Sequence, residues 1–272
     1  TGKGPVVQQR NAAGKVEVEN DDRSTPAWDG PLGVLINRGS ASASEIFAAA
    51  IQDYGRGVIV GDPSFGKGTV QTVVDLDRVA GKQEPELGQL KLTIAQFFRI
   101  DGGTTQLRGV TPDINTPSVQ DPKTLGESSY DNALPWTTIK PAKYKKQGDM
   151  TALVPELESR HEARIKDDKD YQRFVEDAAE LKAQREKKTI SLNEAERRKE
   201  MAAVAAKLKA RQEAGVVVPE LDDGLQANER SLSANLALEN ARKNAKDVLQ
   251  TEAAAIVADM ADILPGKDKA SR

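Results

Sequence analysis

The chain has 272 residues, 30% of them charged and 38% hydrophobic, with a formal net charge of −3. That is enough for one large or two small domains of a polar, soluble kind. It argues against nucleic acid or a lipid surface held by bulk charge. No apolar run reaches the length that spans a bilayer, and the absence of cysteine removes disulfides, thiolate metal sites and cysteine nucleophiles together.

Thr1-Gly2-Lys3-Gly4-Pro5-Val6-Val7 reads as the edge of a strand rather than a natural N-terminus, without a secretory signal. A front half is therefore expected to lie outside these residues. Leu32–Asn37 reads as a buried strand bounded by Pro31 and Gly39. Ser42–Tyr54 follows as a helix with Ile46, Phe47, Ala50, Ile51 and Tyr54 on one face. Gly57-Val58-Ile59-Val60 is a second buried strand, Thr69–Val74 a β-branched one, and Leu90–Ile100 a longer one ending at Asp101-Gly102-Gly103. Strands alternating with a helix predict an α/β core.

Residues 115–150, with Pro117, Pro122, Pro135, Pro141 and Trp136, read as connecting structure. Beyond them the segments 153–187, 194–213 and 227–264 are rich in strong helix formers. Gly215 and Pro219–Gly224 break the last two apart. No aromatic residue follows Phe174, so these helices are expected to pack on something else or extend outward, as a solvated face or a partner-contacting platform. The one histidine, His161, sits among Glu158, Arg160, Glu162 and Arg164 and reads as a solvated surface residue.

The chemistry concentrates at two strand ends. Ser40, Ser42 and Ser44 alternate where the first apolar strand hands over to its helix. Ser42-Ala43-Ser44-Glu45 fits a capping box, which any helix could use. The same geometry sets a hydroxyl at the positive end of a helix dipole, beside free N–H groups able to hold an oxyanion. A serine needs a base. With no histidine nearby, a lysine is the candidate, as in serine–lysine variants of the triad. A lysine's ordinary pKa of about 10.4 must fall for that role, through burial or cationic neighbours. Lys67 follows an apolar strand and lies between Phe65 and Val70; alone, it could equally be a surface lysine in a tight turn.

Gly61-Asp62-Pro63-Ser64-Phe65-Gly66-Lys67 competes as a phosphate loop, G-x-x-x-x-G-K. It departs from that pattern at Gly68, where Ser or Thr would hold magnesium, and in leading to a strand rather than a helix. Ser64-Phe65-Gly66-Lys67 also matches the S-x-x-K of penicillin-recognising enzymes, but Pro63, Gly66 and Gly68 oppose the helical turn that motif needs.

Four pieces in register carry a resemblance: Ser40–Ile46, Gln52-Asp53-Tyr54-Gly55-Arg56, Gly66–Gln71, and Arg108-Gly109-Val110-Thr111-Pro112-Asp113-Ile114. Together they resemble the carboxyl-terminal processing peptidases, in particular their periplasmic, tail-specific branch. The resemblance continues through Asp131–Trp136 to near residue 190. It implies an α/β fold, a partial crotonase-like serine protease core, followed by an α-helical C-terminal region. The expected division is residues 1–120 catalytic, 121–150 connecting and 151–272 helical.

By that resemblance Ser42 is the nucleophile, Lys67 the general base and Gln71 the residue that holds the amine. Ala43 supplies one oxyanion-hole N–H, with a glycine from an upstream segment as the other, and Glu45 and Asp53 match supporting acidic positions. The implied substrates are proteins with apolar, unstructured C-terminal tails, with a helical-repeat lipoprotein as a possible adaptor in the periplasm. No metal or cofactor is implied, and no nucleic acid. Two alternatives stand beside it: an inactive remnant whose helical arm binds protein, and a phosphate-loop nucleotide binder.

Overall fold

The computed structural model describes residues 2–81, 87–187, 189–213, 236, 239–240, 243 and 246–264. Residues 1–180 with 248–272 form one compact unit, and residues 181–247 another. Most of the expected helix between 227 and 247, and the breaks at Gly215 and Pro219–Gly224, lie outside the described residues.

Two sheets organise the first unit. One is antiparallel: β1 (Pro5–Asn11), β2 (Val16–Asn20), β5 (Thr69–Asp75) and β6 (Gln89–Phe98), in the order β2-β1-β6-β5. The other is parallel: β3 (Gly33–Ile36), β4 (Val58–Gly61) and β7 (Ile114–Asn115), in the order β3-β4-β7. Helix α1 (Ala43–Asp53) is the crossover from β3 to β4 that a parallel pair requires. The short α2 (Leu76–Ala80) starts at an Asp75 cap, the Asp75 side chain accepting from the N–H groups of Asp77 and Arg78.

The all-apolar run of β4 is explained by its neighbours. Successive side chains point to opposite faces. Ile59 packs with Ile36, Ala48, Ala49 and Val110 on the α1 side. Val58 and Val60 pack with Ile114 and with four residues of the C-terminal region, Leu153, Leu157, Ile256 and Met260. A strand covered on both faces shows no alternation in its sequence.

The lower cover is built from α3 (Val154–Asp167) and α6 (Val248–Ile263), with α4 (Lys169–Glu186) following α3. This corrects the expectation for His161, which is 4% exposed. Its Nδ1 lies 2.8 Å from the Glu252 carboxylate on α6, and Arg164 donates to both Glu252 and Asp259 at 2.7 Å. A polar α3 face that looks solvated in sequence is polar because it mates with acids 91 and 95 residues further on. Tyr171 of α4 closes the cluster with its ring edge-on to His161 at 5.7 Å.

Phe47 is a second correction, being 55% exposed. At about 100° per residue, Phe47 lies about 200° round the helix from Glu45. Glu45, Ala48, Ala49 and Asp53 are the buried line, so Phe47 faces out. In the second unit, α5 (Glu194–Glu213) carries exposed ion pairs such as Arg198 with Glu194. No described helix is long and apolar enough to cross a membrane.

Candidate active site

Glu45 is the centre of the site although it is fully buried. Its Oε2 accepts the backbone N–H of Ser42 at 2.8 Å and that of Lys67 at 2.9 Å. Its Oε1 accepts the Ser64 hydroxyl at 2.6 Å and the Gly66 N–H at 2.7 Å. Four donors match the roughly four lone-pair directions a carboxylate offers. Burial pushes the Glu45 carboxyl up from its ordinary range, and the hydrogen bonds from Ser64, Gly66, Ser42 and Lys67 pull it back down. One carboxylate oxygen thus ties the serine turn to the lysine loop, and the Phe65 N–H reinforces the join by donating to the Ser40 carbonyl at 2.9 Å.

The three serines separate cleanly. Ser40 is committed to its turn, its hydroxyl accepting the Asn37 N–H at 3.2 Å. Ser44 is exposed in the first turn of α1. Ser42 stands at the N-cap with φ 57° and ψ −111°. For a non-glycine residue that backbone costs about 1–3 kcal/mol, and the Ser42 N–H bond to Glu45 helps hold it. Ala43 follows as the first residue of the helix, its N–H without an acceptor among the described residues.

The lysine loop runs from β4 to β5 with glycines on both sides of Lys67. Gly66 has φ +91°, and a Cβ there would lie 2.9 Å from the Leu107 carbonyl carbon. A Cβ on Gly68 would sit 2.4 Å from the Thr104 hydroxyl and 2.8 Å from the Gln106 nitrogen. The glycines therefore let the loop press against residues 104–108. There Gln106, fully buried, accepts the Gly68 N–H at 2.8 Å and donates to Glu127 at 3.0 Å. Lys67 is half-buried, and its Nζ has no ion pair among the described residues. Its side chain lines a cavity of about 440 Å³, shared with Thr69 and Gln71.

The expected residues are brought together unevenly. Gln71 is exposed on β5, its amide 3.5 Å from the Thr93 hydroxyl, and shares the cavity with Lys67. Ser42 is not among the residues lining that cavity; it meets Lys67 through Glu45. Asp53 lies at the far end of α1, about 12 Å along the axis from Glu45. It is ion-paired with Arg99 at the end of β6, and Arg99 also donates to Gln52 at 3.0 Å. Burial pushes the Asp53 carboxyl up while Arg99 pulls it down. Asp53 fastens α1 to the antiparallel sheet, away from the serine.

Ser64 is the residue that sequence reasoning assigned to other motifs. It is fully buried, donates to Glu45 and accepts the Val110 N–H at 2.6 Å. The loop around it is not a turn of helix, so the S-x-x-K arrangement is absent. The phosphate-loop alternative fails on the same ground. The N–H groups of Gly66 and Lys67 are already turned on an anion, and that anion is Glu45. The loop leads directly into the strand β5, with no helix to bind a phosphate. Among the described residues there is no group of three or more His, Asp or Glu that could hold a metal ion.

Residues 1–116 match the family model described as peptidase family S41. Residues 120–262 match that of the C-terminal domain of tail specific protease. The chain is 45% identical over 193 residues to the tail-specific protease of Haemophilus influenzae, covering 70% of this chain and 28% of that protein. It is 50% identical over 84 residues to the carboxy-terminal-processing protease of Bartonella bacilliformis, covering 31% and 18%. Among solved structures it is similar to a photosystem II D1 C-terminal processing protease, at 34% identity and TM-score 0.37, over 46% of this chain and 29% of that one. The chain thus spans under a third of the length of these relatives. With a peptidase model over its first half and a tail-specific C-terminal model over the second, the chain belongs to peptidase family S41, among the tail-specific and carboxyl-terminal processing proteases.

Proposed function

We propose that the chain carries the nucleophile and base of a serine–lysine endopeptidase. The observation that supports this reading most is the Glu45 oxygen shared by the Ser42 and Lys67 amides, which makes two strand-end motifs one site. In the proposed reaction the Lys67 amine takes the proton from the Ser42 hydroxyl as its oxygen attacks the scissile carbonyl. The oxyanion forms beside the Ala43 N–H, at the positive end of α1. Lys67, now an ammonium, gives the proton to the departing amine. A water then repeats the cycle on the Ser42 ester, with Lys67 as base. Gln71, on the same cavity wall as Lys67, orients the amine.

The proposed substrates are proteins with apolar, unstructured C-terminal tails, met in the periplasm. This finer reading is supported by the names of the relatives and by the motif resemblance. The helical region is proposed as the place where a lipoprotein adaptor docks.

The test is cleavage of an apolar-tailed protein by the protein carrying Ser42→Ala or Lys67→Arg, with circular dichroism as the control for folding. Both variants are expected to fold and to lose cleavage, because guanidinium stays charged at neutral pH and cannot serve as a base. Undiminished turnover by either variant would overturn the dyad.

A further inference from the structure

The cavity beside Lys67 is lined mainly from two segments. Strands β5 and β6 supply Thr69, Gln71, Lys91 and Thr93. Residues 127–134, within the stretch that matches the C-terminal domain model, supply Glu127 and Asn132 beside two large apolar side chains, Tyr130 and Leu134. These two side chains are 57% and 40% exposed. Large apolar groups left in water call for an explanation when they line a cavity shared with a candidate catalytic lysine.

Their segment is pinned to the site at both ends. The Glu127 N–H donates to the Phe65 carbonyl at 2.9 Å, and the Glu127 carboxylate accepts from Gln106, which also holds Gly68. Downstream, the Trp136 indole donates to the Thr104 carbonyl at 2.9 Å, and the Arg108 guanidinium stacks on the Trp136 ring at 3.9 Å. Between these anchors the Ala133 N–H bonds the Tyr130 carbonyl at 3.2 Å and closes the turn. The apolar pair is thus held between the loop that carries Lys67 and the 104–108 segment packed against it.

We propose that Tyr130 and Leu134 form a specificity subsite for an apolar side chain of the substrate, close to the scissile bond. The C-terminal domain then supplies part of the reaction site. This rests on the serine–lysine reading above for the word substrate, but the site itself can be tested without turnover. A cavity of about 440 Å³ has room for one large apolar side chain and its backbone. The polar groups of Thr69, Gln71 and Thr93 suit that backbone, and Tyr130 with Leu134 suits the side chain.

The experiment uses the Ser42→Ala protein and a peptide with an apolar, unstructured tail in which one leucine at a time is replaced by photoactivatable leucine. Crosslinked peptides are mapped by mass spectrometry. The expected result is a position whose crosslink falls within residues 127–134 and is competed by the unlabelled apolar peptide but not by a serine-substituted one. Tyr130→Ser and Leu134→Ser, both at exposed positions and checked for folding by circular dichroism, should weaken binding of the apolar peptide about tenfold and leave the serine-substituted peptide unaffected. In the Ser42-containing protein the same changes should raise KM with little change in kcat. Crosslinks that avoid 127–134, or an undiminished preference for the apolar peptide in the Ser variants, would overturn the subsite. Crosslinking there with no cleavage by the Ser42-containing protein would keep the subsite and sink the dyad.

Discussion

Glu45 looks in sequence like the second half of a helix cap, and its N–H partner at Ser42 is what a capping box requires. Buried, it becomes the anion around which the lysine loop folds. The G-x-x-x-x-G-K pattern was legible, but its ligand was not. Nothing local in Gly61–Lys67 says that the carboxylate its N–H groups seek is a side chain 21 or 22 residues earlier. A substitution separates charge from shape. Glu45→Gln puts an NH₂ where one carboxylate oxygen now meets two donors. It should cost about 2–5 kcal/mol of stability in a denaturant titration, since unsatisfied buried donors cost about 1–3 kcal/mol each. Cleavage should fall with it even in conditions where the variant is folded. Unchanged stability in the Glu45→Gln protein would mean the carboxylate bonds are replaceable. Asp53, of the same chemical type eight residues on, has another task because its partner is the Arg99 guanidinium.

At the scale of elements, β3, α1, β4 and β5 were all legible, because apolar runs, a cap and β-branched residues agree with one another there. The facing of α1 was not. Periodicity counts apolar residues, and here the buried line contains a glutamate and an aspartate while a phenylalanine faces out. The contact of α3 with α6 was illegible for a related reason. Helix-forming sequences rich in alanine and charge do not announce a partner helix about 90 residues away. The glycines flanking Lys67 carry an element-level prediction. Gly68→Ala places a methyl 2.4 Å from the Thr104 hydroxyl and 2.8 Å from a backbone nitrogen, so the 104–108 segment must move. The expected loss is about 1–3 kcal/mol, together with reduced cleavage as Lys67 shifts. An alanine variant with wild-type melting temperature and turnover would show that the loop has slack.

For the whole molecule, the C-terminal region is part of the first unit's core. Ile256 and Met260 pack against Val58 and Val60 of β4. Tyr171 makes that join sensitive to alkali. Burial pushes its hydroxyl up to about 12, and the hydroxyl has no hydrogen-bond partner among the described residues. The unfolded chain, with a tyrosine near its ordinary 10, sheds its proton first as pH rises. The stability tied to Tyr171 is therefore intact below pH 10 and is lost progressively between 10 and about 12, by up to about 3 kcal/mol. Tyr171→Phe should flatten that loss and raise stability at pH 7 by about 1 kcal/mol, because an unpartnered buried hydroxyl is removed. Urea melts at pH 7 and across the alkaline window check both; an unchanged alkaline limb in the Phe variant would contradict the assignment.

That shared core brings a helical region and the proposed serine–lysine site into one unit, where Ser42 is proposed to attack and Lys67 to make it able to. The most direct measurement uses an activated p-nitrophenyl ester of an apolar acyl peptide, for which acylation is fast and the acyl group accumulates. A burst of up to one p-nitrophenolate per chain is expected, with the acyl group found by mass spectrometry on Ser42. The burst should be slowed about 10²–10⁴-fold in Lys67→Ala and absent in Ser42→Ala. An acyl group on Ser40, on Ser44 or elsewhere, or a burst whose rate ignores Lys67, would contradict the proposal.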